Sequence, residues 1–196
     1  MIFRMLLTLS VFVTFHCNAN ADIFVFTNQA DWLAATESVV TEEFSDGTLL
    51  PDLSVVSDNG VVALGTWTDT VTDPLIGSSA TTTWSYTGAP TAWASEIDLT
   101  PGGLGSGLNV DVDFTDATSQ SFDTIDASGF WGIVSDDKAI SDITFSTTSL
   151  LGLGLDQEQY AMDNVSSGFA VSAVPEPGAA TLLLLIGVVL VKRRRR

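Results

Sequence analysis

The chain has 196 residues, enough for one domain with tails, and carries 24 acidic against 7 basic side chains, a net charge of −17. The cations stand at the ends, at Arg4 and at Lys192 to Arg196, with Lys138 alone between them, so the stretch from Asp22 to Val174 holds 23 acids and a single Lys, a net of −22. That balance excludes a nucleic-acid binder, whose affinity comes from neutralising phosphates with Lys and Arg.

In chain order, residues 1–21 read as a secretory signal peptide. Arg4 is the positive n-region, Met5 to Phe15 are apolar but for Thr and Ser, and Ala19 and Ala21 are the small residues before the cleaved bond. Export through the Sec translocon and cleavage by signal peptidase after Ala21 are expected. A lipoprotein site at Cys17 is disfavoured, because Phe15-His16 lacks the small residues it wants. Cleavage removes His16 and Cys17, the chain's one imidazole and one thiol. A Ser-His-Asp triad, a Cys nucleophile, His or Cys zinc sites, and haem or iron–sulfur ligation go with them. The stretch Gly102-Gly103-Leu104-Gly105-Ser106-Gly107 lacks the Lys of a phosphate loop and reads as a turn.

Residues 22–172 read as a β ectodomain. One short helix is expected at Asn28 to Thr36, with Asn28 as N-cap, Asp31 at N3, and Trp32 and Leu33 facing inward. The rest is short period-2 runs between Gly, Pro, Asp and Ser: Ile23 to Phe26, Val39 to Phe44, Val61 to Trp67, Thr82 to Tyr86, Trp93 to Leu99, Leu108 to Phe114, Phe130 to Val134, Ile140 to Ser146 and Tyr160 to Val165. In Leu108 to Phe114 apolar and polar residues alternate strictly, so one face packs and the other meets water. The expected class is all-β, a two-sheet β-sandwich of jelly-roll type with one short helix.

Residues 173–196 order three features. Pro175-Glu176-Pro177 comes first, then an apolar run over 178–191, then the cluster Lys192, Arg193, Arg194, Arg195 and Arg196. The 14-residue run makes about 21 Å of helix against a hydrocarbon core of about 30 Å, and the cations after it belong on the cytoplasmic side. Snorkelling by Lys192 and local thinning cover the mismatch, so a transmembrane helix is expected.

Together these features resemble the PEP-CTERM sorting signal of Gram-negative bacteria. The resemblance implies exosortase as partner, a transient stay in the inner membrane, and delivery to the cell surface or extracellular matrix. The two prolines force an extended stretch that such an enzyme can grip, and Glu176 supplies one readable charge. The run is on the short side for the family. A second likeness covers Phe24 to Phe44, Gly129 to Val134 with Ile140 to Phe145, and the ending Met162-Asp163-Asn164-Val165, which resemble PEP-CTERM ectodomains and, at the end, jelly-roll carbohydrate-binding modules. In such modules an early acid and the final-strand Asp share a calcium ion, which here implies Glu42 or Glu43 with Asp163.

The chemistry left to the residues is that of carboxylates and aromatics. Calcium takes six to eight oxygen ligands, and acids with so few cations must be solvated, protonated or metal-bound. Asp111, Asp113 and Asp116 form a weaker calcium set, without the glycine and distal Glu of an EF-hand. Trp67, Trp84 and Trp93, with Trp131 and Tyr86, are candidates to stack on sugar rings or to fill the core. The expectation is a non-catalytic surface or matrix protein. A calcium-supported module for exopolysaccharide is the alternative, and a two-carboxylate glycosidase the less favoured one.

Overall fold

The computed structural model describes residues 23–63, 65–72, 80–101, 107–147 and 157–171. Ala19 and Ala21, the glycine-rich 102–106, Pro175-Glu176-Pro177, the apolar run 178–191 and the cations Lys192 to Arg196 lie outside them. Among the described residues, no helix is long and apolar enough to cross a membrane.

Two antiparallel sheets face each other. The first is ordered β1 (Ile23–Phe26), β10 (Gly129–Ser135), β7 (Ala92–Asp98) and β12 (Gln157–Ala170). Beyond the first half of β12 come β5 (Thr66–Thr72) and β4 (Val61–Ala63), and beside its second half lies β2 (Thr36–Glu42). The second sheet is β3 (Leu53–Val56), β6 (Thr82–Tyr86), β11 (Ile140–Thr147), β8 (Leu108–Phe114) and β9 (Ser119–Ile125). The strands expected at Ile23, Thr82 and Leu108 have the expected bounds. The run Val61 to Trp67 is instead a hairpin turning at Gly65, whose φ of 82° is open to glycine at little cost. Strands β3 and β9 were not expected.

Period 2 decides what is buried. On β5 the inner face carries Trp67, Asp69 and Val71 and the outer face Thr66, Thr68, Thr70 and Thr72. On β6 Thr82, Trp84 and Tyr86 turn inward, with Thr83 and Ser85 outward. The core between the sheets is aromatic. Trp67 meets Trp84 edge-on at 5.1 Å, and Trp93 packs on Phe145 at 5.8 Å and on Trp131 at 6.0 Å.

The helix α1 (Gln29–Ala34) is capped as its sequence implies, Asn28 Oδ1 accepting from the N–H groups of Ala30 and Asp31 at 2.9 and 3.2 Å. It lies on the outer face of the first sheet. Trp32 is its one buried side chain; it packs with Ala92, Ala94 and Val134 and donates its indole N–H to the Ile133 carbonyl at 3.1 Å. Gly132 makes the room, since a Cβ there would stand 2.6 Å from Ala94 and 3.0 Å from the Trp32 ring. Leu33 corrects the sequence reading: it is 46 % exposed, because a helix lying flat on a sheet buries one stripe and Leu33 is about 100° round from Trp32.

Both described termini leave by one pole. Phe24, Val134, Ala92 and Gly168 form one row across β1, β10, β7 and β12, so Ile23 and Val171 lie just beyond it on the same side. The Val171 N–H is fixed to the Ala35 carbonyl at 3.0 Å.

Candidate functional site

The three residues considered for calcium are not gathered. Glu42 is opposite Val165, so β2 does run beside the last strand. Its carboxylate, however, is buried and turned inward, where Oε1 accepts the Phe44 N–H at 2.7 Å and Oε2 the Leu50 N–H at 2.8 Å. Both oxygens brace the loop that follows. Glu43 is exposed beside a surface hollow shared with Asp46 and Thr48. Asp163 points outward from β12, opposite Glu96 of β7, and caps its own bulge through Oδ1 to the Asn164 N–H at 2.8 Å. Asn164 has a φ of 53°, and the ladder shifts register between Asp163 and Ser166. Among the described residues, no three of Asp, Glu, His and Cys form a group able to hold a metal ion.

The tryptophans are the second correction. Trp67, Trp84 and Trp93 are core residues, and Trp84 and Trp93 are fully buried. Their strands alternate with outward Thr, Ser and Ala, which sends the large rings inward, where each removes apolar area from water. Tyr86 is also buried, its hydroxyl accepting the Trp93 indole N–H at 2.6 Å. Burial pushes that hydroxyl above its ordinary range, so Tyr86 stays protonated.

Asp69 is a buried carboxylate that the sequence reading did not single out. It accepts the Thr70 N–H at 2.6 Å and the hydroxyl of Thr82. Thr82 in turn accepts from the Tyr160 hydroxyl at 2.7 Å. The network ties the sheets together through β5, β6 and β12. Burial, and next the charge of Asp69, push the Tyr160 hydroxyl upward. Its position between Trp67 and Val71 at period 2 is the signal that would have placed Asp69 inside; its partners are 13 and 91 residues away.

The outer face of the second sheet is largely polar. One row reads Ser54, Ser85, Asp142, Asp113 and Ser119; the next reads Val56, Thr83, Thr144, Asp111 and Ser121. Ser85 donates to Asp142 at 2.5 Å, Ser121 to Asp111, and Thr83 and Thr144 share a bond of 3.0 Å. The weaker calcium set therefore does not converge. Asp111 and Asp113 lie on this face, while Asp116 is in the following turn, 3.4 Å from the Lys138 ammonium. The Thr118 hydroxyl, then its N–H, hold the Asp116 carboxyl below its ordinary range, with Lys138 adding less. Thr100 does the same for Asp98 and Thr48 for Asp46. A glycosidase acid needs the opposite shift.

A groove of about 210 Å³ opens at the exit pole. Its walls are Val40, Leu53, Tyr86, Pro90, Val165 and Phe169, with Asp52 at the edge. Val40 is 51 % and Phe169 42 % exposed.

No protein-family model matches the chain, and no curated protein matches it. Among solved structures it is similar to a point mutant of a family 29 carbohydrate-binding module, with 10% identity and a TM-score of 0.44 over 70% of this chain and 99% of that one. A second family 29 mutant gives 9% identity and a TM-score of 0.45, over 70% of this chain and 92% of that one. A family two carbohydrate esterase from Cellvibrio japonicus gives 7% and 0.34, over 79% of this chain and 38% of that one. Likeness at this level carries neither ligand nor activity across.

Proposed function

We propose that this chain is an exported, non-catalytic surface or extracellular-matrix protein of a Gram-negative bacterium, sorted by exosortase through Pro175-Glu176-Pro177, whose jelly-roll-like sandwich contacts exopolysaccharide. The observation that carries the sorting half is the order of motif, apolar run and cations in residues 173–196. The fold supports it. The last strand ends at a pole, so a tail held in the inner membrane leaves the outer face of the second sheet and the far pole free.

For the ectodomain, the polar outer face of the second sheet supports contact by hydrogen bonds rather than ring stacking, because its rows carry Ser, Thr and Asp and the tryptophans are inside. A module of net −22 over 22–174 repels acidic polymers, so the fitting polysaccharide is neutral or bridged by divalent cations. The loss of His16 and Cys17 with the signal peptide leaves carboxylates as the chain's acid–base groups, which disfavours the nucleophilic and metal chemistries that need imidazole or thiol.

The test is the intact mass of protein recovered from the cell surface and medium, for the natural chain and for one with Pro175, Glu176 and Pro177 replaced by Ala. A natural species running from Asp22 to the region of Pro175, with the variant trapped at full length in the inner membrane, is expected. Equal release of both would overturn the sorting role.

A further inference from the structure

We infer that the apolar groove at the exit pole seats the chain's own Val174-Pro175 step, so that the folded sandwich holds the Pro175-Glu176-Pro177 segment against itself. The docking is independent of the sorting reading; only its consequence for processing rests on it.

Position comes first. Phe169 is a wall of the groove, and the chain leaves two residues later at Val171, whose N–H is fixed to the Ala35 carbonyl at 3.0 Å. Three further residues reach Val174, at most about 10 Å of extended chain. The 25 residues of 172–196 thus all emerge beside an apolar surface of which Val40 and Phe169 are half uncovered.

Chemistry selects the segment. The wall joins Tyr86 and Phe169 to Pro51 and Pro90, a surface of the kind on which extended proline-containing segments dock. Pro175 has no N–H to leave unpaired on such a wall, and a preceding Val is already biased to the extended conformation. Size agrees. At about 210 Å³ the groove falls below the roughly 300–1,000 Å³ of small-molecule sites, and it suits one or two side chains rather than a 14-residue helix.

Charge separates this occupant from its rivals. Asp52 borders the groove, so Glu176 is repelled from that edge and remains in water. Salt screens the repulsion and should leave docking unchanged or stronger. The basic tail Lys192 to Arg196 would be drawn to the same edge and lost in salt. A processing enzyme has to peel Val174-Pro175 from the groove before it reads Glu176.

The experiment uses the full chain in detergent, with Cys17→Ser so that introduced thiols are alone. Val40→Cys with Val174→Cys is oxidised beside Leu33→Cys with Val174→Cys, Leu33 being an exposed residue of α1 close to Ala35, which holds Val171, and outside the groove. The Val40 pair should close an intramolecular disulfide at least about tenfold faster, in low and high salt alike, because docking raises the local concentration of those two thiols beyond what the tether alone gives. A second measurement covers a pair whose geometry misses bonding distance. Phe169→Ser should raise protease cleavage within 172–177 about fivefold, by analogy with freeing a tethered segment, while the unfolding midpoint stays put. Closure of the Val40 pair no faster than that of the Leu33 pair, together with unchanged cleavage, overturns the inference. So does a disulfide only between two chains, which makes a second copy the occupant. Closure lost in high salt assigns the groove to the basic tail, and shielding of Val40 only on adding lipid vesicles assigns it to the bilayer.

Discussion

Replacing Glu42 by Gln separates the two roles open to this residue. In the fold its two carboxylate oxygens each accept one backbone N–H, from Phe44 at 2.7 Å and from Leu50 at 2.8 Å. Phe44 is buried and sits at φ 52°, a left-handed conformation that costs an L-residue roughly 1–2 kcal/mol and that the Glu42 bond holds in place. A Gln keeps one oxygen acceptor but turns an NH2 group toward the other backbone donor. Losing one bond to a charged acceptor and leaving a buried N–H facing a donor costs about 2–4 kcal/mol. At about 2–4 °C per kcal/mol for a chain of this size, Tm should fall by about 4–16 °C. The assay is thermal unfolding by near-ultraviolet circular dichroism, which the buried tryptophans report, run once with EDTA and once with millimolar CaCl2. The brace predicts the same fall in both. A fall below about 1 kcal/mol would refute the brace. A fall seen only with calcium would place Glu42 among metal ligands, as the resemblance to jelly-roll modules implies.

Three further outcomes test other parts of the fold. Gly132→Ala puts a Cβ 2.6 Å from the Ala94 Cβ and should lower stability by about 1–3 kcal/mol, read as a shifted denaturant midpoint with unchanged slope; a neutral substitution would mean that α1 rides loosely. Asp113→Asn removes one of two carboxylates directly opposed across β8 and β11 and should stabilise by about 0.2–1 kcal/mol. Destabilisation there would mean that the pair is bridged rather than repelling. Raising NaCl from about 10 mM to about 1 M shortens the screening length from about 30 to about 3 Å and should raise Tm by several degrees, since −22 charges repel one another in the folded state. A flat or falling Tm in that titration would contradict the reading of these carboxylates as unneutralised.

What the sequence discloses depends on how local each signal is. Strands with unlike faces, Leu108–Phe114 and Thr82–Tyr86, were legible to the residue because the period alone separates inside from outside. The last strand looked short because the bulge at Asn164 breaks its period, although pairing continues to Ala170. Strand β9, Ser119–Ile125, opens on Ser-Gln-Ser, which carries no strand signal of its own; pairing with β8 makes it a strand. The alternation in Thr82–Tyr86 puts Trp84 on one face with Thr82 and Tyr86, whereas reading Val61 to Trp67 as one strand hid the Thr66–Thr72 alternation that sends Trp67 inward with Asp69 and Val71. The Asp69 network and the exit groove were out of reach for another reason. Thr82 and Tyr160 reach Asp69, and β2, residues 50–53, residues 86–90 and β12 meet at the groove, only once both sheets have closed.

The scarcity of cations has a structural answer. Seven aspartates, Asp46, Asp52, Asp69, Asp98, Asp111, Asp116 and Asp142, each accept a hydrogen bond from a Ser or Thr hydroxyl. Three of these are turns spelled Asp-x-Thr, at Asp46-Gly47-Thr48, Asp98-Leu99-Thr100 and Asp116-Ala117-Thr118, and are readable from sequence. The other four join residues 10 to 57 positions apart in the chain. A hydroxyl gives a carboxylate a hydrogen bond without cancelling its charge, so these seven aspartates gain local partners while the field of the domain stays negative. Ion pairs would have met both demands and left a neutral, self-adhesive surface. The uncancelled charge keeps copies of this domain apart in solution and makes their repulsion a function of the surrounding salt.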